Sequence, residues 1–290
     1  MIRSIQKTEY KEIWLQNTGT IFQDPDWINL VISDIQEVRY FGYYINDTLT
    51  NCFAAIYQKG RMFSHYTLPI LTPHLGWVIP NLQDDLIVET LRKDKAATLH
   101  YSTPMDNESW RSLPSYEIDL RKDATILFSN LRNDKQRSIK KAEKVNLRID
   151  FEKDPSRLIR LLKKTFERQD KNFQGYAQID KIVQHYANCF QVNISADDQE
   201  LSSLLFVYSA RKCYYLIGGF NTTAENNFAG PYGMWNSILH AKELGIETFD
   251  FEGSSIPSIA NYFESFGSEK TSYSTYTEQR LIYKTLSRFL

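Results

Sequence analysis

Three strand-like runs follow one another between Phe190 and Phe220 with almost no chain left over to connect them. Phe190–Ser195, Leu201–Ser209 and Lys212–Phe220 are rich in β-branched and aromatic residues, and turn formers around Asp197, Asp198, Ala210 and Arg211 separate them. Such short connections join antiparallel neighbours, because a parallel return needs a crossover of a dozen residues or more. The meander runs into Ala229–Gly233, a Gly- and Pro-containing turn expected to open a helix over Met234–Leu244, which Gly245 ends. A strand over Glu247–Glu252, a loop from Gly253, a short helix Pro257–Phe263 and a strand Thr271–Thr277 complete the order. That order brings the glycine turn and the ends of two central strands to one point. A helix N-terminus there offers unpaired backbone N–H groups and the positive end of a dipole, which suit a pyrophosphate or a developing oxyanion. Gly230, Gly233 and the backbone around Tyr232 are the residues so placed.

The first half shows a similar mixture. Asp24 followed by Pro25 reads as an N-cap with proline at the first helical position. Val38–Ile45 and Leu49–Tyr57 read as a hairpin across Asn46 and Asp47. Pro69, Pro73 and Gly76 keep the stretch from Tyr66 to Gly76 irregular. No linker rich in Pro, Gly or Ser divides the halves, and the expected boundary lies near 146–150: one domain over 1–147, a second over 148–290.

Residues 123–146 lack Pro and Gly, and Leu127, Leu131, Ser138, Ala142 and Val145 recur at helical spacing. Arg137, Lys140, Lys141 and Lys144 share the other face. Such a strip is either a solvated helix face or a dock for phosphate or carboxylate groups.

The 290 residues balance 34 basic against 35 acidic side chains. Wholesale disorder and a polybasic nucleic-acid binder are both excluded as classes, and no DNA partner is expected. No apolar run approaches the length of a membrane span, and Met1–Tyr10 carries no secretory core, so a cytoplasmic location is expected. Cys52, Cys189 and Cys213 are an odd, widely spaced set that reads as reduced thiols, and the five histidines make no metal-ligand spacing. No metal and no tightly bound cofactor are expected.

Several stretches, in order, resemble the second domain of the Fem-type acyltransferases of the GNAT-like superfamily: Tyr214–Asn221, Gly233–Gly245, Phe249–Ser254, Ile259 with Ala260, and Phe266 with Gly267. Arg132–Lys144 is similar to that family's basic helix, Phe22–Trp27 to its N-terminal entry, and Leu71–Gly76 to a loop of its first domain. The resemblance implies an α+β chain of tandem GNAT-like domains, each a mostly antiparallel mixed sheet flanked by helices. The acyl-transfer centre would lie mainly in the second domain. It also implies transfer of an acyl or aminoacyl group from acyl-CoA or aminoacyl-tRNA to an amine, such as a small amine or a peptidoglycan precursor. The chain departs from the family where a lysine precedes the final Phe-Gly: an ungapped alignment puts Phe263 there, beside Tyr262. The net charge of −1 weighs against a tRNA donor, whose phosphates need many cations.

The chemistry needs positioning, an oxyanion site and a proton acceptor, but no covalent nucleophile. Glu252 or Asp250 is the expected acceptor of the amine proton; the alternative is that Asp250 caps the adjacent loop and Glu252 pairs with a surface lysine. Tyr232, Tyr262 or Tyr215 could donate to a leaving thiolate. The donor is expected along Lys212–Phe220, against Gly218, Gly219, Phe220 and Asn221, its carbonyl near Gly230 and Gly233. Gly218 and Gly219 are expected to mark a bulge where strands splay. The acceptor is expected to pass Arg132, Arg137 and Lys141, with Tyr262 and Phe263 nearby. A non-catalytic protein that holds an anionic glycan or peptide precursor is the rival from another class.

Overall fold

The computed structural model describes every residue except Thr18, Asn81, Asp198, Thr222, Ala224 and 287–290; of the expected turn at Asp197 and Asp198, the second residue therefore lies outside the described residues. The chain divides into two units, residues 1–113 with 272–290, and residues 114–271.

The first unit contains β1 (Ile2–Ser4), α1 (Lys7–Asn17), α2 (Pro25–Val31), β2 (Gln36–Ile45), β3 (Thr48–Lys59), β4 (Ser64–Thr67), α3 (Asp85–Arg92) and β5 (Thr98–Thr103). Asp24 caps α2 as its sequence demands, its side chain accepting the Asp26 N–H at 2.9 Å. Asn46 and Asp47 both adopt left-handed backbone, φ 46° and 61°, as a two-residue turn between twisted strands requires. β1 to β4 pair antiparallel in order and β4 pairs β5 in parallel. Phe41 stacks on Phe53 at 4.9 Å in the core, with Trp77 edge-on to Phe53.

The second unit runs through β6 (Arg111–Asp119), which begins just before it, α4 (Ala124–Asn130), α5 (Asn133–Ala142), β7 (Leu147–Asp150), α6 (Pro155–Arg168), α7 (Tyr176–His185), β8 (Cys189–Ala196), β9 (Gln199–Tyr208), β10 (Lys212–Phe220), α8 (Ala229–Glu243), β11 (Thr248–Asp250) and α9 (Pro257–Glu264). β8 to β10 form the expected antiparallel meander, extended at one side by β7. β11 then pairs with β10 in parallel and with β6 antiparallel. β12 (Glu269–Gln279) runs antiparallel to β5 from Ser274 onward and α10 (Leu281–Leu286) follows it. The strands are thus mostly antiparallel and flanked by helices, the expected α+β architecture.

Glycines show how the second unit's helices seat on its sheet. Neighbouring strand residues point to opposite faces. A Cβ on Gly219 would meet the α6 backbone, 2.5 Å from the Leu162 nitrogen, whereas one on Gly218 would meet Leu204. Leu204 in turn faces Gly233 of α8. So α6 and α8 cover opposite faces. The stripe Leu158, Leu161, Leu162 and Thr165 buries one side of α6, and Phe190, Phe206, Trp235, Ile238, Phe249 and Phe251 share the core cluster on the α8 side.

Four expectations change. The stretch 123–146 is two helices, because Leu131 and Arg132 are extended (ψ 141° and 145°) and the Arg132 N–H donates to the Ser265 carbonyl at 2.9 Å. α8 begins at Ala229, so Gly230, Pro231 and Gly233 are inside it; a helix's first N–H groups have no intrahelical acceptor, and Pro231 loses nothing there. β11 stops at Asp250, and Glu252 is in a loop. Finally, the units divide at 113/114 and 271/272 rather than at 147/148. Leu127, Leu131 and Ile139 of α4, α5 and the break between them bury themselves in the second unit's core, and β12 returns to β5. A returning strand leaves no local mark in composition.

Candidate active site

β10 carries one extra residue: Tyr215 faces Phe206 and Ile217 faces Leu205 across β9, so Leu216 is a bulge. The bulge lies before Gly218 and Gly219, which pair regularly with Leu204 and Ser203. On its other edge β10 pairs with β11 only as far as Tyr214 opposite Asp250. Beyond that point β11 ends while β10 continues to Phe220. The sheet splits there, and a cavity of ≈ 580 Å³ occupies the split.

The cavity wall draws on both faces of the sheet. Thr165, Phe166, Arg168 and Gln169 come from the end of α6 and just beyond it; Gly230 and Pro231 come from the first turn of α8; Ser258, Ile259, Tyr262 and Phe263 come from α9; and Lys135 comes from α5. Between these, Tyr215 to Gly218 and Phe220 of β10 face the loop Phe251–Ser254. Aromatic rings make the floor: Phe251 stacks on Phe263 at 4.8 Å and 22°, and Tyr215 meets Phe263 edge-on at 6.2 Å. Phe263, where the resembling family carries lysine, is therefore a buried wall residue.

Two polar atoms in that wall lack partners among the described residues. Glu252 Oε1 and the Tyr262 hydroxyl are shut from solvent and make no hydrogen bond. A buried unpaired polar group costs about 1–3 kcal/mol, so such groups point to an absent ligand or water. Burial pushes the Glu252 carboxyl well above its ordinary range; the Asp250 charge adds to this and Lys212 opposes it. Burial also raises the Tyr262 phenol strongly, so it stays a donor. Glu252 holds left-handed backbone, φ 60°, and so does Gly253, φ 75°. This double left-handed turn aims the carboxyl at the split rather than along the strand.

Asp250 is committed elsewhere. Its Oδ1 accepts the Ser115 hydroxyl at 2.7 Å and the Glu252 N–H at 2.8 Å, and its Oδ2 meets Lys212 Nζ at 2.9 Å. It supports the Glu252 turn and does not line the cavity. Tyr232 does not line it either: burial, and after it the Glu143 charge, raises its phenol, and its backbone carbonyl accepts from the Asn236 side chain. Of the residues expected against a donor, Gly218, Phe220 and Gly230 line the cavity. Gly219 is pressed on α6, Gly233 on Ile194 and Leu204, and Asn221 bonds to the Glu200 carbonyl at 3.3 Å.

The basic strip is distributed differently from the expectation. Arg132 clips α5 to α9, with Nη1 2.8 Å from Asn261 Oδ1 and a double contact to Asp134. Arg137 turns back to the Asn133 carbonyl at 3.2 Å, and Lys141 Nζ lies 4.9 Å from the Phe228 ring centre. None of the three lines the cavity. Lys135 does, with its side chain 12% exposed and its Nζ 5.2 Å from the Tyr262 ring centre. Helical spacing places Lys135 off the basic face and on the face of Ile139 and Ala142, four and seven residues on, which α5 buries. Among the described residues no group of three or more His, Cys, Asp or Glu side chains could hold a metal ion, and no helix is long and apolar enough to cross a membrane. The three cysteines are free and buried, and His240 packs between Phe151 and Phe190.

Residues 129–262 match the family described as acetyltransferase (GNAT) domain. Among solved structures the chain resembles FemX with a TM-score of 0.74 and 10% identity, covering 99% of each chain. A tandem GNAT protein from the clavulanic acid biosynthesis pathway, solved without AcCoA, gives 0.56 and 9%, covering 96% of this chain and 98% of that one. The C-terminal domain of a putative lysylphosphatidylglycerol synthetase from Agrobacterium fabrum gives 0.56 and 12%, covering 98% and 96%. No curated protein matches the sequence.

Proposed function

From a chain whose residues 129–262 match a GNAT acetyltransferase domain within a FemX-like fold, we propose an N-acyltransferase that uses acyl-CoA and forms no covalent enzyme intermediate. One observation carries this: the split between β10 and β11 holds a cavity lined from both faces of the sheet, with the unpartnered Glu252 Oε1 in its wall. Two substrates can meet there from opposite sides. The donor's thioester lies along β10 between Gly218 and Phe220, near Gly230, and the acceptor amine comes to Glu252.

The amine nitrogen attacks the thioester carbonyl carbon and forms the C–N bond. Glu252 takes the surplus proton from nitrogen, directly or through one water. The C–S bond breaks, and the thiolate is protonated as it leaves, with the Tyr262 hydroxyl as its donor. The proton on Glu252 then restores Tyr262 through solvent, so no net proton is gained or lost. Confinement between two walls supplies most of the rate as orientation, and a desolvated carboxylate is a stronger base than one in water.

The likeness in fold to the tandem GNAT protein of the clavulanic acid pathway, solved without AcCoA, and the match to a GNAT acetyltransferase domain support a CoA donor here; no observation supports a charged tRNA in that role. The Fem-type likeness makes an amine on a peptidoglycan precursor the first acceptor to test. Thermal shift and native mass spectrometry against acetyl-CoA, longer acyl-CoAs, free CoA and charged tRNA test the donor. Stabilisation by a CoA species is expected, since a ligand bound to the folded chain alone raises its melting temperature. Glu252→Gln then keeps donor binding and loses roughly 10²–10⁴-fold in turnover. No stabilisation by any CoA species, with the fold intact, overturns the proposal and leaves the non-catalytic binding protein.

A further inference from the structure

Outside the cavity, directly behind Glu252, the second unit contains a buried charge cluster that the transfer itself does not use. Lys212 Nζ lies 2.7 Å from Glu117 Oε1 and 2.9 Å from Asp250 Oδ2. The Asp250 side chain is 8% exposed, and Lys212 and Glu117 are about a quarter exposed. Each strand supplies one partner: Glu117 on β6, Lys212 on β10 and Asp250 on β11. Thr271 adds a hydroxyl at 3.3 Å from the same Glu117 oxygen. Lys212 stands opposite Thr248 in the parallel pair and reaches Asp250, two residues further on the same face.

Asp250 Oδ2 faces Lys212, while its Oδ1 holds Ser115 and the Glu252 N–H. A single carboxylate thus joins the lysine to the turn that presents Glu252. We infer that Lys212 is a positioning residue for Glu252: by pinning Asp250 it fixes the left-handed turn that sets the Glu252 carboxyl in the cavity wall. The inference rests on Glu252 as the proton acceptor. Without Lys212 a nearly buried carboxylate would lose its cation, and the hold on the turn would loosen.

The cluster also acts through space. The titratable and charged groups around Glu252 are Asp250 at the end of β11, Lys212, Tyr214 and Tyr215 on β10, Glu117 on β6, Tyr262 on α9, Lys135 on α5 and Arg168 at the end of α6. Lys212 is the cation that opposes the upward push of burial and of Asp250 on Glu252. Its own ammonium, which burial would destabilise, is held well above the usual range by Asp250, Tyr214 and Glu117.

The test is a carbon NMR pH titration of the full chain labelled at glutamate Cδ. The Glu252 signal is the one missing from Glu252→Gln. In Lys212→Met its midpoint should rise by about one pH unit, because a cation has gone; in Glu117→Gln it should fall, because Lys212 is released to Asp250. Lys212→Arg should return the midpoint to the wild-type value. A lysine with a merely structural role would leave the midpoint of folded Lys212→Met unmoved. Unmoved midpoints in both Lys212→Met and Glu117→Gln overturn the inference. If Lys212→Met fails to fold, Glu117→Gln and Lys212→Arg still decide it. The titration needs neither donor nor acceptor, so a chain that transfers no acyl group can still pass it, and the two failures are distinguishable.

Discussion

Gly253 lies so close to Pro114 that a Cβ at its position would sit 1.9 Å from the Pro114 carbonyl oxygen. Its φ of 75° adds a second reason for glycine, since L side chains clash in left-handed backbone. The loop presenting Glu252 is thus pressed on the start of β6, and backbone cannot swing aside as a flexible side chain can. Gly253→Ala should cost about 2–4 kcal/mol by urea denaturation and abolish donor stabilisation. A loss below about 1 kcal/mol would show that the loop is free to move.

Gly219 and Gly218 are adjacent but should respond differently. A Cβ on Gly219 meets α6 backbone at 2.5 and 2.6 Å, so Gly219→Ala must push a helix off the sheet, at about 2–3 kcal/mol. A Cβ on Gly218 meets the Tyr215 hydroxyl at 2.4 Å and a Leu204 methyl at 2.5 Å, both side-chain ends. Gly218→Ala should cost less than Gly219→Ala in denaturant, and it should weaken donor binding, because Tyr215 must turn into the cavity. Equal stability losses would contradict this placement of α6.

Tyr262→Phe removes a hydroxyl that has no partner in the wall. An orphaned polar group costs the folded state about 1–3 kcal/mol, so the variant should be as stable as wild type or more so. Turnover should nevertheless fall about tenfold, the loss of one hydrogen bond to the leaving group. A destabilised Tyr262→Phe, seen by calorimetry, would mean that the hydroxyl already has a partner in the folded chain.

In the first unit, burial raises the Asp84 carboxyl from 3.8 to about 6, against hydrogen bonds from Thr103 and Asn107. The folded state therefore holds this proton more tightly than the unfolded one. That contribution to stability is complete below pH 3.8 and is lost as pH rises through about 6. The loss over this window should be about 2–3 kcal/mol in wild type, and Asp84→Asn should abolish it. Denaturant midpoints measured from pH 4 to pH 7 give the comparison; parallel curves for the two proteins would sink it.

Much of the fold is legible in the sequence because its signals are local. The alternation in Phe190–Phe220 and the cap at Asp24 act within a few residues, and the structure carries the strands and the helix they imply. Glu252 and Tyr262 are legible as candidates because the Fem-type resemblance marks their neighbourhood. Lys135 is not, since it shares the apolar face of α5 with Ile139 and Ala142 and so falls outside the basic pattern. The loop cap by Asp250 is legible too, but its bonds to Ser115 and Lys212 are not, because these reach it from 135 and 38 residues away in the chain. Gly218 and Gly219 read as the bulge, whereas the extra residue is Leu216; glycine permits a bulge, but close packing on α6 and Leu204 claims these two.

By itself the sequence determined the element types, the antiparallel meander, the place of α8 after it and the family resemblance, all of which follow from spacing, turn chemistry and side-chain pattern over short stretches. Only the tertiary structure decided where β11 ends, how Glu252 turns into the split, which cation reaches the cavity and where the units divide. Each of those depends on contacts between residues far apart in the chain: Pro114 on Gly253, Ser265 on Arg132, Lys212 on Asp250. Such contacts form only when the strands and helices are already packed, so no local pattern can announce them.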